Sequence, residues 1–310
     1  MVAELVTSRR PLGSTGIEVG PLSFGSAPLA TAFWGNTEDV AVVTARRAVE
    51  VGIGLFDTAP LYGLGEAEER LGRALGDRRD VMVAIATKVG RTLVEHDGER
   101  EPVFDFSADA TWRQLDASLA RLRRDRVDLV HVHDPDDHLA EALDGCLPAL
   151  RARQAEGVVG AVSLGTTQCA TALHFLRHAD LDALMLAGRL TLLDRSAADE
   201  VVPACAGAGV PLLAAGVFNS GVLARPTEGS WFEYAPADSA TVARARGLGE
   251  VCARFDVSIK AAAMAFPLRF EPVVTVVVGM ASPDEVDENV ALIQAGIPAE
   301  LWAALDEVTP

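Results

Sequence analysis

Eight short apolar segments recur along the chain, each nearly continuous in Val, Ile, Leu and Ala rather than alternating with polar residues. A continuous apolar run is typical of a parallel strand that is buried on both faces. The pattern therefore predicts eight strands, at Pro21–Ser26, Gly54–Ala59, Val81–Val89, Asp128–Asp134, Val159–Gly165, Ala183–Arg189, Pro211–Val217 and Val274–Met280.

Amphipathic segments of helical length lie between these strands. Asp39–Val51 carries an apolar stripe, and Ala110–Leu122 carries leucines at helical spacing after Ser107, a predicted N-cap. Eight strands that alternate with helices predict an α/β fold, a (β/α)8 TIM barrel. A doubly wound sheet is the main alternative, but Gly25–Pro28 after the first strand lacks the expected G-x-G-x-x-G fingerprint.

The remaining segments predict a hairpin and two long loops. Arg10–Gly20 places turn residues between short apolar pieces, which predicts a β-hairpin that closes the bottom of the barrel. Arg91–Phe106 and Asn219–Ala237 follow the carboxyl ends of the third and seventh strands, where barrel enzymes hold their active sites. Since no linker or low-complexity tract divides the chain, residues 1–310 are expected to form a single domain.

The charge of the chain argues against two classes of partner. Lys and Arg number 27 against 44 Asp and Glu, which gives a formal net charge of −17. Such a surface repels phosphate backbones and anionic lipids, so neither nucleic acid nor a membrane is expected as a partner. The four cysteines are far apart and form no C-x-x-C pair, which is typical of reduced thiols in the cytosol.

The ends and apolar runs of the sequence suggest where the protein is found. The N-terminus has no apolar core of signal-peptide length, and the apolar runs are far too short to span a membrane. The protein is therefore expected to be soluble and cytoplasmic. No heptad repeat or obvious apolar patch predicts self-association, so a monomer is the default expectation.

Four proton-handling residues fall at or just after the ends of the second, third and fourth predicted strands. They are Asp57, Tyr62, Lys88 and His133, and neighbouring strands would bring them together. A tyrosine with a pKa of ~10 becomes a useful acid or base when an ammonium group lowers that pKa. Asp57 would hold the lysine, and His133 would orient a substrate oxygen. The quartet predicts proton exchange with a hydroxyl or carbonyl as hydride moves.

A metal site is the main alternative for the histidines. His131 and His133 form an H-x-H pair, as in metal-dependent hydrolases. Other strand ends carry Lys88 and Ser163 where further ligands would be needed, so no metal is predicted and His131 is expected to be a core histidine. Asp134 begins a polar stretch that is interpreted either as a solvated loop or as a sugar contact.

The segment from Gly52 to Gly72, with its D-T-A-x-x-Y-G block, resembles the second strand and following helix of the aldo-keto reductase superfamily. Asp57, Tyr62, Lys88 and His133 match the catalytic tetrad of that family, and the resemblance extends from about Arg10 to Asn289. Four further segments resemble the branch of aldose and pyridoxal dehydrogenases: residues 59–65, 132–138, 187–194 and 216–223.

This resemblance implies an NAD(P)-dependent oxidoreductase that converts the C1 hemiacetal of a small aldose to a lactone by hydride transfer. The aldose would be of the L-fucose, D-arabinose or L-galactose type. A pyridoxal 4-dehydrogenase, or a general aldehyde or ketone reductase, is an alternative on the same tetrad. A third alternative is a nicotinamide-binding regulatory module with negligible turnover, as in the potassium-channel β-subunits of this superfamily.

The resemblance also implies a set of cofactor contacts and a cofactor preference. The loop after the eighth strand contains Asp284 and Glu285 but no basic residue that could bind the 2′-phosphate of NADP. Carboxylates repel that phosphate and accept hydrogen bonds from a free ribose hydroxyl, so NAD is expected to be preferred, with NADP possible. The implied contacts are Gly25, Ser26, Asp57, Ser163, Phe218, Asn219, Ser220, Gly221, Leu223, Gly279, Met280, Ser282, Glu285, Glu288 and Asn289.

Tryptophans on two loops predict an aromatic wall at the mouth of the barrel. Trp34 and Trp231 would stack on a sugar or pyridine ring, although packing beneath a loop is an equal alternative. Trp112 and Trp302 lie in predicted helices and are expected to pack in the core. The predicted substrate contacts are Trp34, Tyr62, His133, Asp134 and Trp231.

Overall fold

Eight parallel strands form a closed barrel in a computed structural model that describes residues 8–31, 35–75, 83–96 and 99–308. For 92–96 and 99–100 only the backbone is described. In chain order the strands are β1 (Arg10–Pro11), β2 (Glu18–Val19), β3 (Leu22–Gly25), β4 (Leu55–Asp57), β5 (Ala84–Val89), β6 (Arg91–His96), β7 (Glu99–Phe104), β8 (Val127–His133), β9 (Val159–Thr166), β10 (Ala183–Ala187), β11 (Leu212–Ala215), β12 (Trp231–Phe232), β13 (Ala235–Pro236) and β14 (Val273–Gly279).

The barrel order follows the chain. Strands β3, β4, β5, β8, β9, β10, β11 and β14 pair in sequence, and β14 pairs with β3 to close the barrel. All of these pairs are parallel. The predicted TIM barrel is therefore confirmed, and each barrel strand lies within or next to the apolar segment that predicted it. Val81 and Met82 of the third predicted strand lie outside the described residues.

Helices surround the barrel and connect its strands. They are α1 (Glu38–Glu50), α2 (Glu66–Leu75), α3 (Ala108–Leu122), α4 (Leu139–Glu141), α5 (Leu147–Ala155), α6 (Cys169–His178), α7 (Val201–Ala208), α8 (Ser239–Ala253), α9 (Ile259–Ala265), α10 (Pro283–Ile293) and α11 (Ala299–Val308). Ser107 caps α3 as predicted, because its hydroxyl accepts a hydrogen bond from the backbone N–H of Ala110 at 3.3 Å.

Two apolar layers stabilise this arrangement. Successive residues of a strand point to opposite faces, so Leu55 packs inside the barrel while Phe56 packs between the barrel and its helices. The predicted N-terminal hairpin is confirmed as the antiparallel pair β1–β2. Leu12 and Val19 from this hairpin are fully buried against the interior layer, so the hairpin closes one end of the barrel.

The two long connections form hairpins rather than irregular loops. Strands β6 and β7 pair antiparallel after β5, and β12 and β13 pair antiparallel after β11.

Trp302 packs against the core as expected, but the expectation that Trp112 also packs in the core is wrong. Its side chain is 40% exposed on α3, where the indole N–H donates to the carbonyl of Ala149 at 3.3 Å.

None of the helices described between residues 8 and 308 combines the length and apolar character needed to cross a membrane. The cytoplasmic location, the monomeric state and the single domain stay predictions from the sequence.

Candidate active site

Three neighbouring strands bring charged and polar side chains to one end of the barrel. Asp57 is the last residue of β4, Lys88 lies one residue before the end of β5, and His133 ends β8. All three side chains are buried. Tyr62 lies in the turn after β4 and is partly exposed, with the centre of its ring 4.9 Å from Nζ of Lys88. The four residues predicted from the sequence therefore meet at one site.

The ammonium group of Lys88 is fully hydrogen-bonded. Its Nζ lies 2.7 and 2.6 Å from Oδ1 and Oδ2 of Asp57, and 2.9 Å from the carbonyl oxygen of Thr58. A lysine has three donors, so three acceptors at these distances compensate the cost of burying the charge. These hydrogen bonds fix the position of Lys88, and Asp57 largely neutralises its positive charge.

The phenol of Tyr62 is a neutral proton donor in this arrangement. Burial raises its pKa well above the ordinary value of 10, and the negative charge of Asp57 raises the pKa further. The sequence led us to expect that Lys88 lowers this pKa. Because Asp57 neutralises the ammonium group, the partial lowering comes instead from Arg91.

Both histidines of the H-x-H pair are neutral, since burial and then the charge of Lys88 hold the pKa of each well below 6.5. Nε2 of His133 lies 3.5 Å from Oδ2 of Asp134, and its buried Nδ1 has no hydrogen-bond partner among the described residues. His131 is fully buried, and its Nδ1 lies 2.9 Å from Oγ of Ser163.

Between residues 8 and 308, the described side chains include no group of three or more His, Cys, Asp and Glu residues that could hold a metal ion.

A buried glutamate that the sequence analysis missed fixes the strand that carries Lys88. Glu68 on α2 is fully buried; it accepts a hydrogen bond from the hydroxyl of Thr87 at 2.6 Å and pairs with Arg121 at 2.6 Å. Since neighbouring strand residues point to opposite faces, holding Thr87 outward directs Lys88 inward. The sequence signal that could have identified Glu68 is an acidic residue on the same helical face as Leu71 and Leu75.

The other half of the barrel mouth is lined by glycine. Gly25 and Gly279 end the paired strands β3 and β14, and Gly188 and Gly216 follow β10 and β11. A Cβ atom on Gly216 would lie 3.1 Å from the backbone nitrogen of Gly188, and φ is +63° there, so both the close approach and the backbone conformation favour glycine. The missing side chains leave room for a flat group opposite Asp57, Lys88 and His133.

Unsatisfied buried polar atoms face this region and fit a nicotinamide dinucleotide. Oγ of Ser26 and Oδ1 of Asn219 are buried without a hydrogen-bond partner among the described residues, although Nδ2 of Asn219 donates to the carbonyl of Gly188 at 3.2 Å. A buried polar atom without a partner is costly, so a ligand that supplies donors would stabilise both. Ser163, whose hydroxyl is hydrogen-bonded to His131, could also contact the carboxamide of the nicotinamide.

The loop expected to bind the pyrophosphate adopts an unusual backbone. Asn219, Ser220 and Gly221 have φ values of 46°, 58° and 107°. The N–H groups of Gly221 and Leu223 donate to the carbonyl of Phe218, so they are already used within the loop. The hydroxyl of Ser220, which can donate a hydrogen bond, is therefore better suited than these N–H groups to contact a phosphate.

The residues expected to bind the adenosine part of the cofactor lie at the start of α10. The hydroxyl of Ser282, the N-cap, accepts from the N–H of Glu285, and the carboxylate of Glu285 accepts from the N–H of Ala281 at 2.7 Å, a variant of the capping box that reaches the residue before the N-cap. Glu288 pairs with Lys260 of α9 at 2.5 Å, a cation that the sequence of this loop did not indicate. Asn289 and Met280 are buried beside them.

The outer part of the site is a polar cavity of about 180 Å³. Arg91 pairs with Asp134 at 2.6 Å and lies 5.2 Å from the ring of Phe104, which stacks on His138. The lining residues are Arg91, Phe104, Asp134, Asp136, Asp137, His138 and Thr167. Asp134 therefore belongs to an ordered polar wall rather than to a merely solvated loop.

The predicted aromatic wall is only partly visible in the structure. Trp34 lies outside the described residues. Trp231 is 51% exposed on β12, next to Phe232, which packs against the core. Successive strand residues point to opposite faces, so Trp231 points away from that core.

Comparison with known proteins agrees with the barrel fold. The model of the aldo/keto reductase family matches residues 21–310. This chain belongs to the aldo/keto reductase family. It is therefore an oxidoreductase of a family that uses nicotinamide cofactors, and the family recognised from the sequence is confirmed.

Two relatives of this aldo/keto reductase match over nearly their whole length. The chain is 36% identical to D-threo-aldose 1-dehydrogenase of a Pseudomonas species, with 95% of each protein covered. It is 35% identical to pyridoxal 4-dehydrogenase of Microbacterium luteolum, with 96% of each covered. Among solved structures, the holo form of an aldo-keto reductase from Bacillus halodurans matches with a TM-score of 0.83 at 26% identity, over 97% of this chain and 96% of that one.

Proposed function

We propose that this aldo/keto reductase oxidises C1 of a small aldose hemiacetal to a lactone, with NAD as the hydride acceptor. The observation that carries the proposal is the meeting of Tyr62, Lys88, Asp57 and His133 at the ends of three adjacent strands. The similarity to a protein named D-threo-aldose 1-dehydrogenase supports an aldose as the substrate.

The four residues divide the chemistry between them. Tyr62 removes the proton from the anomeric hydroxyl as the C1–H bond breaks, and His133 orients the same oxygen through its imidazole. Asp57 holds Lys88 in place beside the Tyr62 ring, and the positive charge of Arg91 favours the phenolate when it forms. The bound nicotinamide supplies the acceptor for the hydride that leaves C1. In the reverse direction Tyr62 returns the proton to a carbonyl oxygen.

The charge state of Tyr62 suits the two directions differently. Burial and Asp57 keep the phenol protonated, so it is ready to donate a proton to a carbonyl at neutral pH. Oxidation needs the phenolate, whose fraction increases as the pH rises. Sugar oxidation by this site is therefore favoured under alkaline conditions.

The proposed preference for NAD rests on the charges at the start of α10. Glu285 already occupies the positive end of this helix, where it accepts a hydrogen bond from the N–H of Ala281, and Asp284 stands beside it. A phosphate competes for the same helix end and is repelled by both carboxylates. Two basic side chains lie near this helix, and both are paired: Lys260 with Glu288 and Arg47 with Asp287.

Pyridoxal is a second candidate substrate. The relative named pyridoxal 4-dehydrogenase is almost as similar as the aldose dehydrogenase. The stacked rings of Phe104 and His138, whose centres are 5.3 Å apart, give the outer cavity a flat wall that suits a pyridine ring.

The deciding experiment is an NAD-reduction assay on purified protein with L-fucose, D-arabinose, L-galactose and pyridoxal, and with NADP in place of NAD. We expect turnover of at least one aldose with kcat/KM above that for pyridoxal. Turnover of pyridoxal alone would select the second candidate. Tight NADH binding without turnover of any of the four compounds, in either direction, would contradict both and favour a regulatory module.

A further inference from the structure

The hairpin formed by β12 and β13 ends in a two-residue turn of unusual composition. Trp231 pairs with Pro236 and Phe232 with Ala235, so Glu233 and Tyr234 form the turn. Their φ values are +48° and +61°, the conformation of a type I′ turn. Such turns favour Asn and Gly, because other side chains crowd the backbone at positive φ. Strain of this kind concentrates at functional sites.

Contacts on both sides keep the turn in this conformation. Glu233 forms an ion pair with Arg189, whose guanidinium also pairs with Asp194 at 2.9 Å. The N–H of Tyr234 donates to the hydroxyl of Ser220 at 3.1 Å. Ser220 belongs to the loop proposed to bind the pyrophosphate, so the turn is attached to the candidate cofactor site and to the loop after β10.

Tyr234 lies beside the mouth of the barrel, where its N–H is hydrogen-bonded to Ser220. It is 78% exposed, the highest value among the large apolar and aromatic side chains that the structure describes. Crowding by the surrounding protein nevertheless raises the pKa of its phenol, and the charge of Asp134 raises it further, while Lys88 and Arg91 act in the opposite direction. The hydrogen bond from the N–H of Tyr234 to Ser220 brings the turn to the candidate cofactor loop, and these electrostatic interactions agree with a phenol on the side of the turn that faces Asp134 and Arg91.

We propose that Tyr234 is a substrate-binding residue of this aldo/keto reductase. Its ring packs against the end of the substrate remote from the reacting carbon, and its hydroxyl forms a hydrogen bond with that end. The inference rests on the proposed function and deepens it. Only two tyrosines occur in the chain, and the phenols of Tyr62 and Tyr234 interact electrostatically with each other.

The charges around Tyr234 indicate an uncharged, hydroxylated substrate. Arg91 is neutralised by Asp134 at 2.6 Å, so the described residues that line the outer cavity offer hydrogen-bond donors and acceptors but no free cation for a phosphate. Asp136 is satisfied by the hydroxyls of Thr166 and Thr171, at 3.0 and 2.6 Å. A sugar presents C–H faces to an aromatic ring and hydroxyls to such a wall. The phosphate of a phosphorylated sugar would instead be repelled by the carboxylates.

The test compares Tyr234→Ala and Tyr234→Phe with Trp112→Ala, a truncation of an exposed aromatic on the outer helix α3. KM and kcat are measured for the aldose that the wild type oxidises, and NADH affinity is measured by fluorescence. We expect Tyr234→Ala to raise KM at least tenfold, with kcat within threefold and NADH affinity unchanged. Tyr234→Phe should raise KM for the aldose but not for propanal reduction, and Trp112→Ala should change neither value.

An unchanged KM for Tyr234→Ala, with thermal stability and NADH binding retained, would overturn the proposal. So would a rise in KM with Trp231→Ala in the absence of one with Tyr234→Ala. If the wild type oxidises no aldose, the proposed function fails separately. The same variants are then compared in the reduction of 4-nitrobenzaldehyde by NADH, where loss of the Tyr234 ring is still expected to raise KM.

Discussion

The ammonium of Lys88 contacts both carboxylate oxygens of Asp57, at 2.6 and 2.7 Å, while the centre of the Tyr62 ring lies 4.9 Å from the same nitrogen. Both charged groups are almost completely buried. The pair therefore has two functions: it keeps each charge compensated, and it holds a cation beneath the phenol that must gain and lose a proton.

Replacing Asp57 by Asn leaves the buried ammonium without its counter-charge. We expect the free energy of unfolding to fall by about 3 kcal/mol, since removing one partner of a buried ion pair strands the other. The loss is measured by urea denaturation. The double variant Asp57→Asn/Lys88→Met removes both charges and should recover most of this stability without recovering turnover; no recovery would show that the pair contributes more than charge compensation.

The pH dependence of sugar oxidation should follow the phenol of Tyr62. Burial and Asp57 raise its pKa above 10, so the fraction of phenolate increases with pH throughout the alkaline range. We expect kcat/KM for oxidation to rise steadily from pH 7 to pH 10, and carbonyl reduction to stay level or fall. An oxidation profile that reaches its plateau below pH 8 is inconsistent with this environment for Tyr62.

Gly90 lies directly after β5 and controls the position of Arg91. Its φ is +101°, and a Cβ atom there would lie 2.0 Å from Cε1 of the fully buried Phe106. Gly90→Ala should lower the free energy of unfolding by about 3 kcal/mol, through backbone strain and overpacking. Gly229→Ala is the matched control, because Gly229 also has a positive φ but no atom within 4 Å of the added Cβ. Equal losses for both variants would mean that strain alone, rather than contact with Phe106, sets the cost.

The cofactor preference should respond to the charge at the start of α10. Asp284→Arg replaces a repelling carboxylate by a cation near the proposed 2′ position of the ribose. We expect kcat/KM with NADP to rise by about tenfold or more, as one charge-assisted hydrogen bond is gained. The values for NAD and NADP are measured in parallel with one aldose. A wild-type enzyme that already prefers NADP would contradict the premise.

The barrel was predictable because its information is local and repeats. Each strand is a continuous apolar run, each is followed by a helical segment, and parallel strands that pair in chain order give a closed barrel. The same regularity located Asp57, Lys88 and His133, because residues at the carboxyl ends of neighbouring strands meet at one rim.

Contacts between distant segments were not predictable in the same way. Glu68 and Arg121 are 53 residues apart, and Lys260 and Glu288 are 28 apart, so neither pair has a local signature. The positive φ values of Glu233 and Tyr234 carry no signal either, since neither residue favours that conformation. Trp231 on the same hairpin stays a predicted substrate contact, because residue type alone does not reveal which side of a strand faces the site.

The most direct test of the account is Tyr62→Phe, which removes one hydroxyl oxygen and leaves the ring beside Lys88. NADH affinity and thermal stability are compared with the wild type, together with single-turnover oxidation of the preferred aldose by NAD. The account predicts that the rate falls by a factor of about 10² to 10⁴ while NADH binding and stability are retained. A variant that oxidises the sugar at a rate close to that of the wild type would show that the Tyr62 hydroxyl is not the group that moves the proton.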